Sequence, residues 1–351
     1  MNVGYFPFSP GGNPYQNLFA GALESAGLTV TRIPPKKWFP IRSAVSVGTD
    51  LLQFDWPHDW YNGRNGVSRT IKSLMYRDGL RLLKDRPLVW TAHNLYTHGA
   101  EDLDYDKRMM QRLIDRCDGI IVLSESAEKQ MRETYRLSAG TEVSVIRHGH
   151  YMDVYPSGVT RAQAREQLAI SADERVALFV GRILPYKGLE TLIDAFSEAG
   201  VSGSTLMIAG SCADESYRKV LTDLAASRSS ENVSIQIDAR FIPDDQLQTY
   251  YAASDVVALP FKNILNSGSL LLAMSFGKCV VAPDRGSIRE VAFPDGWFPY
   301  TQDAELGAAL RQALLSDDLV EREARVVDFT STNYSWQKIG QQANALYDSI
   351  S

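Results

Sequence analysis

Gly181-Arg182-Ile183-Leu184-Pro185-Tyr186-Lys187-Gly188-Leu189-Glu190 stands between an apolar run, Arg175 to Val180, and the helical spacing Leu189, Leu192, Ile193, Phe196. Strand, turn and amphipathic helix in that order are the unit from which parallel α/β sheets are built. The turn would carry Arg182 and Lys187 at the carboxyl end of its strand. A diphosphate there gains from a guanidinium fork and an ammonium point charge. Charge spacing alone equally allows a solvated turn with two surface cations.

The same alternation extends outward in both directions. Downstream, Ser204 to Ala209, Val233 to Ile237, Asp255 to Pro260 and Cys279 to Ala282 read as strands; upstream, Val3 to Phe6, Leu28 to Arg32, Ser46 to Asp55, Pro87 to Ala92, Gly119 to Ser124 and Glu142 to Arg147 do. Helical patterns separate several of them, the first capped by Asn13, opened by Pro14 and stopped by Gly27. A chain of 351 residues exceeds what one core usually holds. The expected fold class is therefore α/β, with two doubly wound, Rossmann-like lobes facing across a cleft. Residues 1–155 form the first lobe and 175–330 the second, joined by a polar connection at 156–174 in which Thr160 and Gln163 suit a capping box. A helix at 334–351 is expected to complete the first lobe.

Composition narrows the function. Lys plus Arg number 36 against 42 Asp plus Glu, a formal charge of -6, which disfavours a general nucleic-acid binder. The three cysteines, Cys117, Cys212 and Cys279, suit neither a disulfide framework nor a paired zinc site, and point to reducing cytosol. No export signal or spanning run is evident, so contact with a membrane would be peripheral.

A second loop-to-helix transition lies at Ala258-Leu259-Pro260-Phe261-Lys262-Asn263-Ile264-Leu265-Asn266-Ser267-Gly268-Ser269, ahead of Leu270 to Phe276. Asn266 or Ser267 could cap that helix while the N–H groups of Ser267, Gly268 and Ser269 face a phosphate. The same residues also make ordinary turns. GxxxxGK[ST] is missing, and Gly11-Gly12 runs into Asn-Pro rather than opening GxGxxG, so neither a P-loop nor a dinucleotide fingerprint is present.

In the first half, His93 and Asn94 follow the strand ending at Ala92, and Gln53-Phe54-Asp55-Trp56-Pro57-His58-Asp59-Trp60 follows another. His93 could serve as a general base, orient a sugar, or be a satisfied strand-end histidine; His98 has a weaker position. Asp55, nearer its strand end than Asp59, could also take a proton, with Trp56 as an apolar wall. Of the remaining residues, Arg240 in Asp238-Ala239-Arg240 could approach a nucleotide or pair with its neighbours. Glu290 could meet a ribose or act as a first-turn helix carboxylate. Cys279 reads as buried filler. Lys36-Lys37-Trp38-Phe39 and the helix with Arg69, Lys72, Arg77 and Arg81 could dock on anionic lipid or form a solvated face.

Taken in order, Pro10-Gly11-Gly12, Thr91-Ala92-His93-Asn94, Arg147-His148-Gly149, the Gly181 stretch, LMIAG ending at Gly210, YYAASDVVALPF, NSGSLLLAMSFGKCVVAP and Asp284 to Glu290 resemble the GT-B nucleotide-sugar glycosyltransferases over nearly the whole chain. The resemblance implies no cofactor and no metal. It implies that Arg182 and Lys187 hold the donor diphosphate and that a later-loop glutamate binds the ribose; with the residue readings above, the expected donor contacts are Gly12, Arg182, Lys187, Arg240, Asn266, Ser267, Gly268, Ser269 and Glu290. Retaining members of family 4 carry two glutamates separated by seven residues where this chain has Ile264 and Leu272. Neither residue can accept a hydroxyl proton or present a carboxylate to the transferred sugar. An inverting transfer with Asp55 or His93 as base is the expectation. The loop is similar to bacterial exopolysaccharide transferases related to GDP-mannose:glycolipid 4-beta-mannosyltransferase. This implies GDP-mannose, with a UDP-hexose as the second choice, and a polyprenyl-diphosphate-linked or other saccharide acceptor at the cytoplasmic face of the membrane. A nucleotide-sugar 2-epimerase and, more distantly, a sugar-binding module are the competing classes.

Overall fold

The computed structural model describes the chain except residues 10, 12, 36–39, 64–65, 84, 98–101 and 263–264, together with the side chains of Pro40 and Asp59. Gly12, His98, Ile264, the Asp59 side chain and the basic-aromatic segment at 36–39 thus lie outside the described residues. Internal contacts divide the chain into two units, Met1–Gly149 with Tyr334–Ser351, and His150–Asn333.

The first unit is built on six strands: β1 (Asn2–Phe6), β2 (Thr29–Arg32), β3 (Leu51–Phe54), β4 (Leu88–Thr91), β5 (Gly119–Val122) and β6 (Glu142–Val145). All are parallel, in the order β2-β1-β3-β4-β5-β6. The central strands β3, β4 and β5 are buried at every position, because helices cover both faces. Asn13 Oδ1 accepts from the Tyr15 N–H at 3.0 Å, but the N-cap of the helix Tyr15–Ser25 is Pro14, not Asn13 as expected, and no side chain caps the helix there. The last helix, Trp336–Ser349, packs along that helix. Gly340 permits this approach, since a Cβ there would run into the Ala22 carbonyl. The strand expected from Ser46 is shorter than the sequence suggests. A helix at Pro40–Val45 and a turn closed by Thr49 N–H to Val47 carbonyl (3.1 Å) take up the chain before Leu51.

The second unit repeats the plan with β7 (Arg175–Val180), β8 (Ser204–Ala209), β9 (Val233–Asp238), β10 (Val256–Ala258), β11 (Cys279–Pro283) and β12 (Trp297–Tyr300), in the order β12-β11-β10-β7-β8-β9. β12 was not anticipated: Trp-Phe-Pro-Tyr carries a proline, which a sheet tolerates at its edge, and β12 lies at the edge. Residues 150–174 belong to this unit rather than ending the first lobe and forming a free connection. The Tyr151 N–H donates to Ser275 Oγ at 2.8 Å. Arg165 in the helix Arg161–Gln167 donates to buried Asp255 at 3.1 Å, and Asp255 also takes the Val176 N–H at 2.7 Å and pairs with Arg161. One buried carboxylate thus fastens the connecting helix to the start of β7. Thr160 and Gln163 do form the capping box.

Candidate functional site

In each sheet the strand order reverses beside the first strand, between β1 and β3 and between β7 and β10. Loops leaving the carboxyl ends at such a point diverge and leave room for ligands.

In the first unit, Asp55 follows β3 directly and is fully buried. Its Oδ2 accepts from the Tyr5 hydroxyl and, at 3.5 Å, from Gln16 Nε2; its Oδ1 lies 3.2 Å from His93 Nε2. Burial, with Asp55 beside it, holds the Tyr5 pKa well above the ordinary phenol value, so Tyr5 remains a donor. With Nε2 directed at a carboxylate, the tautomer that donates there leaves Nδ1 as the basic nitrogen. Aromatic rings fix the imidazole plane. Trp56 stacks on it at 4.3 Å and 17°, and Tyr15 meets it edge-on at 4.6 Å and 89°. Trp56 is held in the left-handed region (φ 39°), a backbone state costing a non-glycine residue about 1–3 kcal/mol. His148 and Trp336 also pack on Tyr15, with ring centroids at 4.8 Å and 5.7 Å. Desolvation pushes the His148 pKa down to about 4, with nearby His93 adding to the shift, so His148 is neutral at physiological pH.

Of the two expected base candidates, then, the structure brings both together but gives them different surroundings. Asp55 has no exposed surface and faces only protein donors, while His93 retains a little side-chain exposure, 10%. Tyr5, Gln16, Tyr15, His148 and Trp336 were missed as site residues. Only the helix start at Asn13-Pro14, which places Tyr15 and Gln16 in the first turn, and His148 within an already notable tripeptide were signals in the sequence.

In the second unit the loops after β7 and β10 touch. Gly188 adopts φ 76°, and a Cβ there would collide with the Pro260 carbonyl oxygen. Lys187 Nζ lies 4.2 Å from the Phe261 ring centroid and 5.4 Å from that of Tyr186. Burial and the neighbouring Arg182 charge push the Lys187 pKa down to about 8. Among the described residues, neither Arg182 nor Lys187 has a carboxylate within ion-pair distance, a state that suits a site awaiting an anion. Ser267 caps the helix Gly268–Ser275, its Oγ accepting the Leu270 N–H at 3.1 Å. Asn266 and Ser269 are half-buried beside it, and Gly268 is exposed.

The other two donor-contact candidates have different settings. Arg240 donates to Asp238 at 3.0 Å and to the Tyr250 hydroxyl at 3.1 Å, the local pairing that its sequence left open. Glu290 is half-buried near the end of the helix Gly286–Val291, not in its first turn. Among the described residues, no helix is long and apolar enough to cross a membrane, and no group of three acidic, His or Cys side chains could hold a metal ion.

Residues 160–327 match the family model for glycosyl transferases group 1, and residues 69–153 that for glycosyltransferase family 4. The chain is a GT-B glycosyltransferase. It is 27% identical over 341 residues to GDP-mannose:glycolipid 4-beta-D-mannosyltransferase of Xanthomonas campestris pv. campestris, covering 94% of this chain and 86% of that one. It is likewise 27% identical over 357 residues to the D-inositol 3-phosphate glycosyltransferase of Corynebacterium aurimucosum, covering 94% and 80%. Among solved structures, sucrose-phosphate synthase from Thermosynechococcus elongatus superposes with a TM-score of 0.74 at 20% identity over 100% of this chain and 99% of that one. Anabaena HepE, crystallised with UDP-glucose, gives 0.75 at 18% identity over 99% and 100%. Membership of this family makes the GT-B chain a nucleotide-sugar-dependent transferase.

Proposed function

We propose that this glycosyltransferase moves mannose from GDP-mannose to a hydroxyl of a lipid-linked saccharide with inversion at the anomeric carbon, at the cytoplasmic face of a membrane in surface-glycan synthesis. The acceptor oxygen forms the new bond to the anomeric carbon as the bond to the diphosphate oxygen breaks. The acceptor proton passes to His93 Nδ1, and the electron pair leaves with the diphosphate. Asp55 is a positioning residue: it fixes the imidazole and stabilises the imidazolium that forms. Arg182 and Lys187 neutralise the departing diphosphate, helped by the N-terminus of the helix Gly268–Ser275.

The observation that carries this reading is the Asp55–His93 pair, 3.2 Å apart and held in an aromatic frame. Leu272, where retaining relatives are expected to have a carboxylate, supports inversion. The mannosyl donor is favoured by likeness to the Xanthomonas enzyme.

Two measurements test it. Thermal shift with GDP, UDP and their sugar conjugates should show stabilisation by GDP species; a response confined to UDP species overturns the mannosyl donor. Proton NMR of the isolated product should show a β-linkage from the α-linked donor, and an α-linked product refutes inversion.

A further inference from the structure

The helix Gly66–Leu82 points the wrong residues outward. Val67, Ile71, Leu74 and Leu82 are 73%, 53%, 55% and 45% exposed, whereas Tyr76, Gly79 and Leu80 are buried against the first unit. At a helical advance of about 100° per residue the four exposed side chains fall within an arc of about 80°, opposite the buried face. Single exposed apolar residues are ordinary, but a row on one helix face marks a surface that something covers.

Charge identifies what covers it. Beside the row the helix carries Arg77 and Arg81 against Asp78 alone, in a chain whose formal charge is -6; Arg69 and Lys72 lie away from it, Arg69 paired with Asp102 at 3.5 Å and Lys72 donating to the Asn62 carbonyl at 2.6 Å. Arg42 pairs with Asp78 at 3.1 Å, which removes the one negative charge along the row. The helix Leu319–Asn333 provides a contrast. It exposes Val320 and Val327 but carries Glu321, Glu323 and Asp328 against Arg322 and Arg325, a balance that an anionic surface would repel. An apolar row flanked by cations is the pattern of a helix lying in a bilayer interface, with side chains in the acyl boundary and arginines among phosphate headgroups.

We propose that Val67, Ile71, Leu74 and Leu82, flanked by Arg77 and Arg81, form a docking face for a bilayer of anionic phospholipid. This rests on the reading of a lipid-linked acceptor and gives that reading a place on the fold. The helix starts just beyond the loop that carries Asp55 and Trp56, so in the parallel sheet its apolar first half lies toward the carboxyl edge that presents His93. A docked helix would hold that edge near the plane in which a lipid carrier presents its saccharide.

Co-sedimentation of the full chain with vesicles tests the face without donor or acceptor, so its outcome is independent of whether the donor is GDP-mannose. Vesicles of phosphatidylcholine mixed with an equal amount of phosphatidylglycerol should bind the protein, with binding weakened by salt, and pure phosphatidylcholine should bind it far less. Ile71→Asp with Leu74→Asp should weaken binding about a hundredfold. Arg77→Gln with Arg81→Gln should weaken it about tenfold or more. All four side chains changed are at least partly solvent-facing, so the thermal midpoint of both variants should match the parent. Equal binding to both vesicle types, or unchanged binding by both variants, overturns the proposal. A parent that forms a lipid-independent dimer, converted to monomer by Ile71→Asp with Leu74→Asp, also overturns it by assigning the face to self-association.

Discussion

At the carboxyl edge of the first sheet, a buried carboxylate, a phenol, a carboxamide and an imidazole form one chain of contacts, Tyr5 and Gln16 to Asp55 to His93. At the corresponding edge of the second sheet, Arg182 and Lys187 stand without a carboxylate among the described residues, and Lys187 rests on an aromatic ring. The same strand reversal thus presents two kinds of site. One is complete within the protein and suited to moving a proton, since its geometry depends on internal bonds. The other is electrostatically incomplete and suited to a ligand that brings negative charge. Substitutions should therefore act on different quantities in the two units: turnover in the first, donor affinity in the second.

The largest expected effect is in the first unit. His93→Ala should lower turnover about a thousandfold at saturating donor, and Asp55→Asn about a hundredfold, with donor affinity little changed. Because Asp55 acts through His93, the double variant should be no slower than His93→Ala. Steady-state kinetics with the donor in excess checks this. Multiplicative losses would separate the two residues, and a loss confined to donor affinity would erase the contrast between the units.

Gly188→Ala in the second unit comes next. It forces a Cβ onto the Pro260 carbonyl at φ 76°, so the loops after β7 and β10 must part. Urea denaturation should show a loss of about 2 kcal/mol or more. Donor affinity should fall with it, while the Asp55–His93 pair in the other unit is untouched.

Lys187→Met and Arg182→Ala should each weaken nucleoside-diphosphate binding about tenfold to a hundredfold by calorimetry, with folding preserved. The pH dependence has a definite sign. In the free protein Lys187 loses its proton near pH 8 rather than at the ordinary lysine value. A bound diphosphate favours the ammonium and raises that pKa. Affinity should therefore be full below pH 8 and decline above it, with proton uptake on binding there. For the apo protein, the unfolded chain binds the extra proton between pH 8 and the ordinary lysine value of 10.5, so this group's contribution to stability rises with pH in that window. Lys187→Met should abolish both dependences.

These effects also explain what was legible in the sequence. Arg182, Lys187, Gly188 and the Ser267 cap lie in two short stretches whose strand-turn-helix order fixes them locally, so their place at a loop and a helix start is legible from local order, while their role is not. The first site joins residues 5, 16, 55, 93 and 148 through sheet pairing, and no local period relates them. His93 and Asp55 were visible as strand-end residues, but that one would lie behind the other depends on β3 and β4 being neighbours. Strand existence was read more securely than strand limits, and β12 was lost because its proline and short length hide the β pattern.

The smallest effect probes the innermost link. Tyr5→Phe removes one hydroxyl from a fully buried ring and leaves the Asp55 carboxylate with Gln16 at 3.5 Å and His93 at 3.2 Å. A charge-assisted hydrogen bond of this kind contributes about 1.5–3 kcal/mol, part of which the remaining donors recover. Stability in urea should fall by about 1 kcal/mol, and turnover by about fivefold, as the carboxylate becomes freer to turn from His93. The decisive comparison is in the Asp55→Asn background. If Tyr5 acts by fixing Asp55, adding Tyr5→Phe there should leave turnover unchanged while still altering stability. A fivefold loss that persists in that background would mean Tyr5 affects the imidazole by another route. The network at the first sheet's edge would then be packing around His93 rather than a relay of positions that ends on it.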